Sequence, residues 1–142
     1  MKILKRLSYV VLGVASSVGA VHAQCPASLA VFANQRVSGT VKISDQGVVT
    51  AVAVSTFKFT ASGMSGILSS VAYIEGQKLG ARNVRLIFSG FNSATCLVSA
   101  TAKDISTGLT TGEYTVSINQ GALTGYGYGV GGTLESFELR PN

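Results

Sequence analysis

Glu113-Tyr114-Thr115-Val116-Ser117-Ile118-Asn119 is the stretch on which the fold turns. Tyr114, Val116 and Ile118 alternate with Glu113, Thr115, Ser117 and Asn119. Successive side chains on a strand point to opposite faces, so this period of two sends one row to a core and the other to water. Aromatic and β-branched residues fit that pleated, half-buried surface. Asn119-Gln120-Gly121 closes the run as a turn signal.

The same grammar extends outward in both directions. Val37, Val41 and Ile43 oppose Ser38, Thr40 and Lys42. Val84, Leu86 and Phe88 oppose Arg85 and Ser89; Cys96, Val98 and Ala100 oppose Leu97, Ser99 and Thr101. Breaks fall at Asp45-Gln46-Gly47, Ala61-Ser62-Gly63, Glu75-Gly76-Gln77, Ser89-Gly90, Ser106-Thr107-Gly108 and Asn119-Gln120-Gly121. Short strands with regular turns predict an all-β fold, an antiparallel β-sandwich of about seven or eight strands, with a small closed β-barrel as the alternative. A membrane-spanning barrel is not expected: its strands would use nearly the whole chain, and the inward rows read as a filled core.

Three segments resist simple alternation. From Val48 to Thr60 both faces are largely apolar, which predicts a strand covered on both sides or an edge seeking a partner. Ser65 to Gly76 fits helical spacing through Ile67, Leu68, Val71 and Ile74, and strand spacing through Ile67, Ser69, Val71 and Tyr73. Its β-branched content and flanking glycines favour a strand. Leu134, Phe137 and Leu139 do not alternate strictly, which predicts a bulge between Thr133 and Arg140.

Thr110-Thr111-Gly112-Glu113-Tyr114-Thr115-Val116 locally resembles the tyrosine corner of immunoglobulin-like sandwiches. In that motif a Tyr follows a turn and its hydroxyl bonds back to upstream backbone. The resemblance covers seven residues and implies a sandwich but no function. Val116 stands where antibody domains carry their second Cys, and Cys96 lies well before the turn.

The N-terminus has a separate logic. Lys2, Lys5 and Arg6 precede an apolar stretch from Leu7 to about Val21, and Val21-His22-Ala23 offers small residues before a cut. This predicts a cleaved signal peptide over 1–23 and one exported β domain over 24–142. A retained span would need about 20 apolar residues, more than this stretch supplies. Lipidation of Cys25 is disfavoured, because Gln24 rather than a small residue precedes it. The location predicted is therefore periplasmic, cell-surface or extracellular.

Removing the signal changes the charge. Of 11 Lys and Arg three leave, so eight face six Asp and Glu, and the net charge falls from +5 to +2. The eight are scattered along the sequence, so no nucleic-acid partner is expected. The only histidine, His22, leaves too. That excludes Ser-His-Asp and Cys-His catalysis and His-ligated zinc. No D-x-D-x-D string suggests calcium, and no cofactor or metal is expected. Cys25 and Cys96 are an even pair in an exported chain and predict one disulfide.

Candidate surfaces remain. Lys78, Arg82 and Arg85, with Tyr73, form the nearest approach to a basic cluster and suit an anionic sugar or lipid headgroup. Lys78 to Arg82 reads as loop. Tyr126 and Tyr128, in Thr124-Gly125-Tyr126-Gly127-Tyr128-Gly129-Val130-Gly131-Gly132, suit a recognition loop or an assembly edge. The carboxylates Asp45, Glu75, Asp104, Glu113, Glu135 and Glu138 show no paired spacing and read as solvated surface groups. The expected function is an exported structural or adhesive cell-surface or extracellular protein, as an assembly subunit acting through self-association or a protein partner. The alternative is a monomeric periplasmic or secreted module that binds a small ligand or inhibits a protein. An enzyme is not expected, the exception being a carboxylate-based hydrolase.

Overall fold

The computed structural model describes residues 25–142. The signal peptide expected over 1–23, with its cut after Ala23, lies outside the described residues. Eight strands follow a single turn of 3-10 helix, Leu29–Phe32: β1 Arg36–Asp45, β2 Val48–Phe59, β3 Ser65–Ile74, β4 Gln77–Asn92, β5 Leu97–Asp104, β6 Thr110–Asn119, β7 Ala122–Gly129 and β8 Leu134–Pro141. Each strand pairs antiparallel with the next, and β1 pairs with β8 from Val37↔Pro141 to Ser44↔Leu134. The sheet is therefore a closed barrel. The expected sandwich gives way to the alternative, because alternation specifies one inner row but not whether the sheet splits or curls.

The curl has local causes. Register shifts at Ile43/Ser44, Ala72/Tyr73, Ser89/Asn92 and Ala102/Lys103 add twist where the wall bends. The Ser89-Gly90 break is one of these bulges inside β4, not a turn. True two-residue hairpins occur at Gln46-Gly47, Glu75-Gly76 and Gln120-Gly121, where both residues have positive φ.

The remaining expectations are settled by pairing. Ser65–Ile74 is a strand. β2 is neither sandwiched nor an edge: β1 and β3 flank it, Ala51, Ala53, Phe57 and Phe59 face in, and Val48, Val49 and Val54 lie exposed. β8 holds its register without a bulge, with Glu135, Phe137 and Leu139 inward and Leu134 outward. The sequence pattern looked irregular because a carboxylate occupies a core position.

The two ends of the barrel differ. At one end Phe57, Phe59 and Phe88 pack edge to face or tilted, and Phe32 stacks on Phe59 at 5.4 Å. The 3-10 turn lies across this end, tied by Asn34 N–H to Thr60 O and by Phe59 N–H to Gln35 O. A Cys25–Cys96 disulfide, with Cα atoms 5.2 Å apart, fixes the approach of the chain to it. The other end carries the turns at 45–48, 75–76, 105–109 and 130–133 and is open. Inside, the wall presents mainly Val, Leu, Phe, Ala and Ile; outside, Ser, Thr, Lys, Arg and Glu alternate with exposed apolar residues such as Val54, Ile87, Leu97 and Tyr126. The apolar interior contrasts with the polar lumen of a membrane barrel. No helix among the described residues is long and apolar enough to cross a membrane.

Candidate functional site

The open half encloses a cavity of about 370 Å³. Its walls are mostly apolar, including Val41, Ala53, Leu68, Leu86 and Phe137, and its polar groups come chiefly from Ser70, Arg82, Tyr114 and Glu135. An eight-stranded barrel is just wide enough to fill with side chains or to hold one small ligand. Here the aromatic plug fills one half, and small residues (Ala53, Ser70, Ala72, Gly80) keep the other open.

Glu135 is the centre of the polar group. It is 5% exposed, on the inner row of β8. Tyr114, inward on β6, donates its hydroxyl to Glu135 Oε1 at 2.8 Å. Arg82, inward on β4, places Nη2 3.9 Å from Glu135 Oε2. That is an ion pair without hydrogen-bond contact. The guanidinium side chain keeps 40% of its surface exposed and the carboxylate 7%. Burial, followed by the neighbouring Glu135 charge and the hydrogen bond to it, pushes the Tyr114 phenol well above its usual 10, with Arg82 opposing. Tyr114 is therefore a hydrogen-bond donor across the ordinary pH range. Deeper in the wall, Ser55 and Ser70 hydroxyls lie 2.7 Å apart.

The glycines of β6 and β7 make room for this group. A Cβ on Gly125 would stand 2.7 Å from Phe137 Cζ, and one on Gly127 2.7 Å from Tyr114 Cα and Cδ1. A Cβ on Gly112 would stand 2.8 Å from Tyr114 Cζ, and one on Gly129 2.8 Å from Glu135 Cδ. As far as Gly129 the Gly-Tyr run is thus strand β7, not a free loop, and Val130–Gly132 form a 3-10 turn. Gly125 and Gly127 face the buried rings, and Tyr126 and Tyr128 stand exposed outside.

The tyrosine-corner expectation is corrected: the Tyr114 hydroxyl reaches past Gly127 of β7 to a side chain on β8 instead of returning to upstream backbone. Lys78, Arg82 and Arg85 do not form one patch. All three lie on β4, which begins at Gln77 and replaces the expected loop. Arg82 faces the cavity, Arg85 faces out opposite Lys103, and Lys78 pairs with Tyr73 beyond a bulge. Glu135, read as a solvated carboxylate, is buried. Asp104 is solvated, and its carboxylate accepts from the Ser106 hydroxyl and the Ser106 and Thr107 amides, which hold it below its usual range. Among the described residues no three His, Cys, Asp or Glu gather as a metal-binding group.

Compared with known protein families, curated proteins and solved structures, the chain matches none.

Proposed function

We propose that this chain is an exported binding module that holds one small molecule in the open half of its barrel. The observation that carries this is the asymmetric interior: a plugged aromatic end and a mainly apolar cavity of about 370 Å³ with a buried Glu135–Tyr114 pair. Binding sites commonly combine an apolar wall with a few converging polar groups, at volumes of about 300–1,000 Å³. The carboxylate is shielded from water while Arg82 remains partly hydrated. This favours a ligand with an apolar body and a hydrogen-bond donor, such as an alcohol or amine, over a second anion. Export is supported by the signal-like N-terminus and by the disulfide, which persists in oxidising compartments.

The test is retention of an environment-sensitive apolar dye, displaced by octanol, octylamine or octanoate. Ala72→Phe, which fills the cavity from β3, should abolish dye binding while keeping the melting temperature within a few degrees. Dye binding unchanged in Ala72→Phe would remove the cavity as the site.

The second reading is an adhesive or assembling surface protein, favoured by the exposed Tyr126 and Tyr128 beside Leu134 on β7 and β8. It works through side chains, because β2 and β7 are paired on both sides and offer no edge for strand addition.

A further inference from the structure

The eight basic residues of 24–142 are scattered in sequence, but strand register gathers half of them. Arg36 pairs with Lys58 across β1 and β2; Lys58 pairs with Ile67 on β3; Ile67 pairs with Arg85 on β4; Arg85 pairs with Lys103 on β5. The result is one continuous outward row, Arg36–Lys58–Ile67–Arg85–Lys103, crossing five adjacent strands. With strands about 4.8 Å apart, the row is about 19 Å long. It runs from the first residue of β1, at the plugged end, to the penultimate residue of β5, at the open end.

Two features set the row apart from ordinary surface charge. Arg36–Lys58 and Arg85–Lys103 are directly opposed like charges, an arrangement that destabilises a sheet. None of the four has an ion-pair partner among the described residues. Nearby acids are otherwise engaged or displaced. The Asp104 carboxylate is held by Ser106 and Thr107, Glu138 bonds to Arg140, and Glu113 stands opposite Thr101 and Tyr128 rather than Lys103.

We propose that this row binds an acidic polysaccharide, a flexible chain carrying repeated sulfate or carboxylate groups. The row wraps around more than half of the barrel's strands, so a flexible polymer can follow it while a flat surface meets only part. It contains Lys, Arg and one Ile, with no aromatic platform on which nucleobases would stack. The row lies on the outer wall, so its binding is independent of the cavity.

The experiment measures binding of a fluorescent heparin oligosaccharide, and of alginate in competition, at low salt. Two double variants of equal net charge are compared with the parent protein: Arg85→Ser/Lys103→Ser in the row, and Lys42→Ser/Lys78→Ser outside it. The row variant should lose at least tenfold in affinity and flatten the salt dependence, since fewer counterions are displaced on binding. It should not unfold, because a repulsive pair has been removed. The off-row variant should stay within about threefold of the parent. Equal losses in both variants, or no binding by the parent, would overturn the proposal. Tighter binding of an oligothymidylate than of heparin would also overturn it, in favour of single-stranded nucleic acid.

Discussion

Replacing Tyr114 with Phe removes one atom from the cavity and leaves Glu135 buried without its hydroxyl donor. The bond is 2.8 Å long and the carboxylate side chain is 7% exposed, so solvent does little to replace it. A hydrogen bond to a charged group contributes about 1.5–3 kcal/mol, and Tyr114→Phe should cost about that. Glu135→Leu strands the phenol instead and should cost about 1–3 kcal/mol. Tyr114→Phe/Glu135→Leu removes both polar partners together, so its loss should fall short of the sum by about 1.5–3 kcal/mol. Urea unfolding of the four proteins completes the cycle. The phenol adds a second signature. Its folded pKa lies above the usual 10, so its contribution is complete below pH 10 and is lost as pH rises towards the folded value. Over that window the unfolded chain gives up a proton that the folded chain keeps, and stability should fall by up to about 1.4 kcal/mol per pH unit. Tyr114→Phe should lack this component. A double variant additive to within about 0.5 kcal/mol, with an unchanged alkaline slope in Tyr114→Phe, would refute the coupling.

Other outcomes follow from the same structure. Phe57, fully buried against Phe59 and Phe88, should cost about 3–5 kcal/mol on replacement by Ala, read from the urea midpoint. Reducing the Cys25–Cys96 bridge frees a separation of 71 residues and should cost about 4 kcal/mol by the chain-entropy model, seen as a lower melting temperature in reductant. Gly127→Ala drives a methyl onto the Glu113 carbonyl oxygen and onto Tyr114 and should cost about 1–3 kcal/mol, whereas Gly80→Ala meets nothing within 4 Å and should stay within about 0.5 kcal/mol, both by urea unfolding.

Strand content was legible because each wall segment has one dry face, and a dry face writes itself as alternation. Val84, Leu86 and Phe88, or Tyr114, Val116 and Ile118, needed nothing beyond that. Closure was not legible, since it depends on β1 meeting β8 far along the chain, and no local pattern records which strands become neighbours. Glu135 was missed for a sharper reason. Its partners Tyr114 and Arg82 lie on other strands, so its burial is satisfied only in three dimensions, and the outward Leu134 disguised the phase of β8. Glu135, Phe137 and Leu139 do alternate, and giving a carboxylate a place in the inward row would have found it. The basic row was hidden in the same way: Arg36, Lys58, Arg85 and Lys103 are neighbours by register alone.

The β1–β8 seam also bears on how the chain assembles. Seven of the eight strand pairings join consecutive strands and can form as local hairpins, whereas the eighth joins Ser38 to Arg140. Until β8 arrives, β1 and the growing end of the sheet are both unpaired edges, ready to recruit another chain. Local contacts should therefore form early and the long-range closure late, because loop entropy opposes it. A variant weakened only at the seam should therefore aggregate during refolding before it shows any defect at equilibrium.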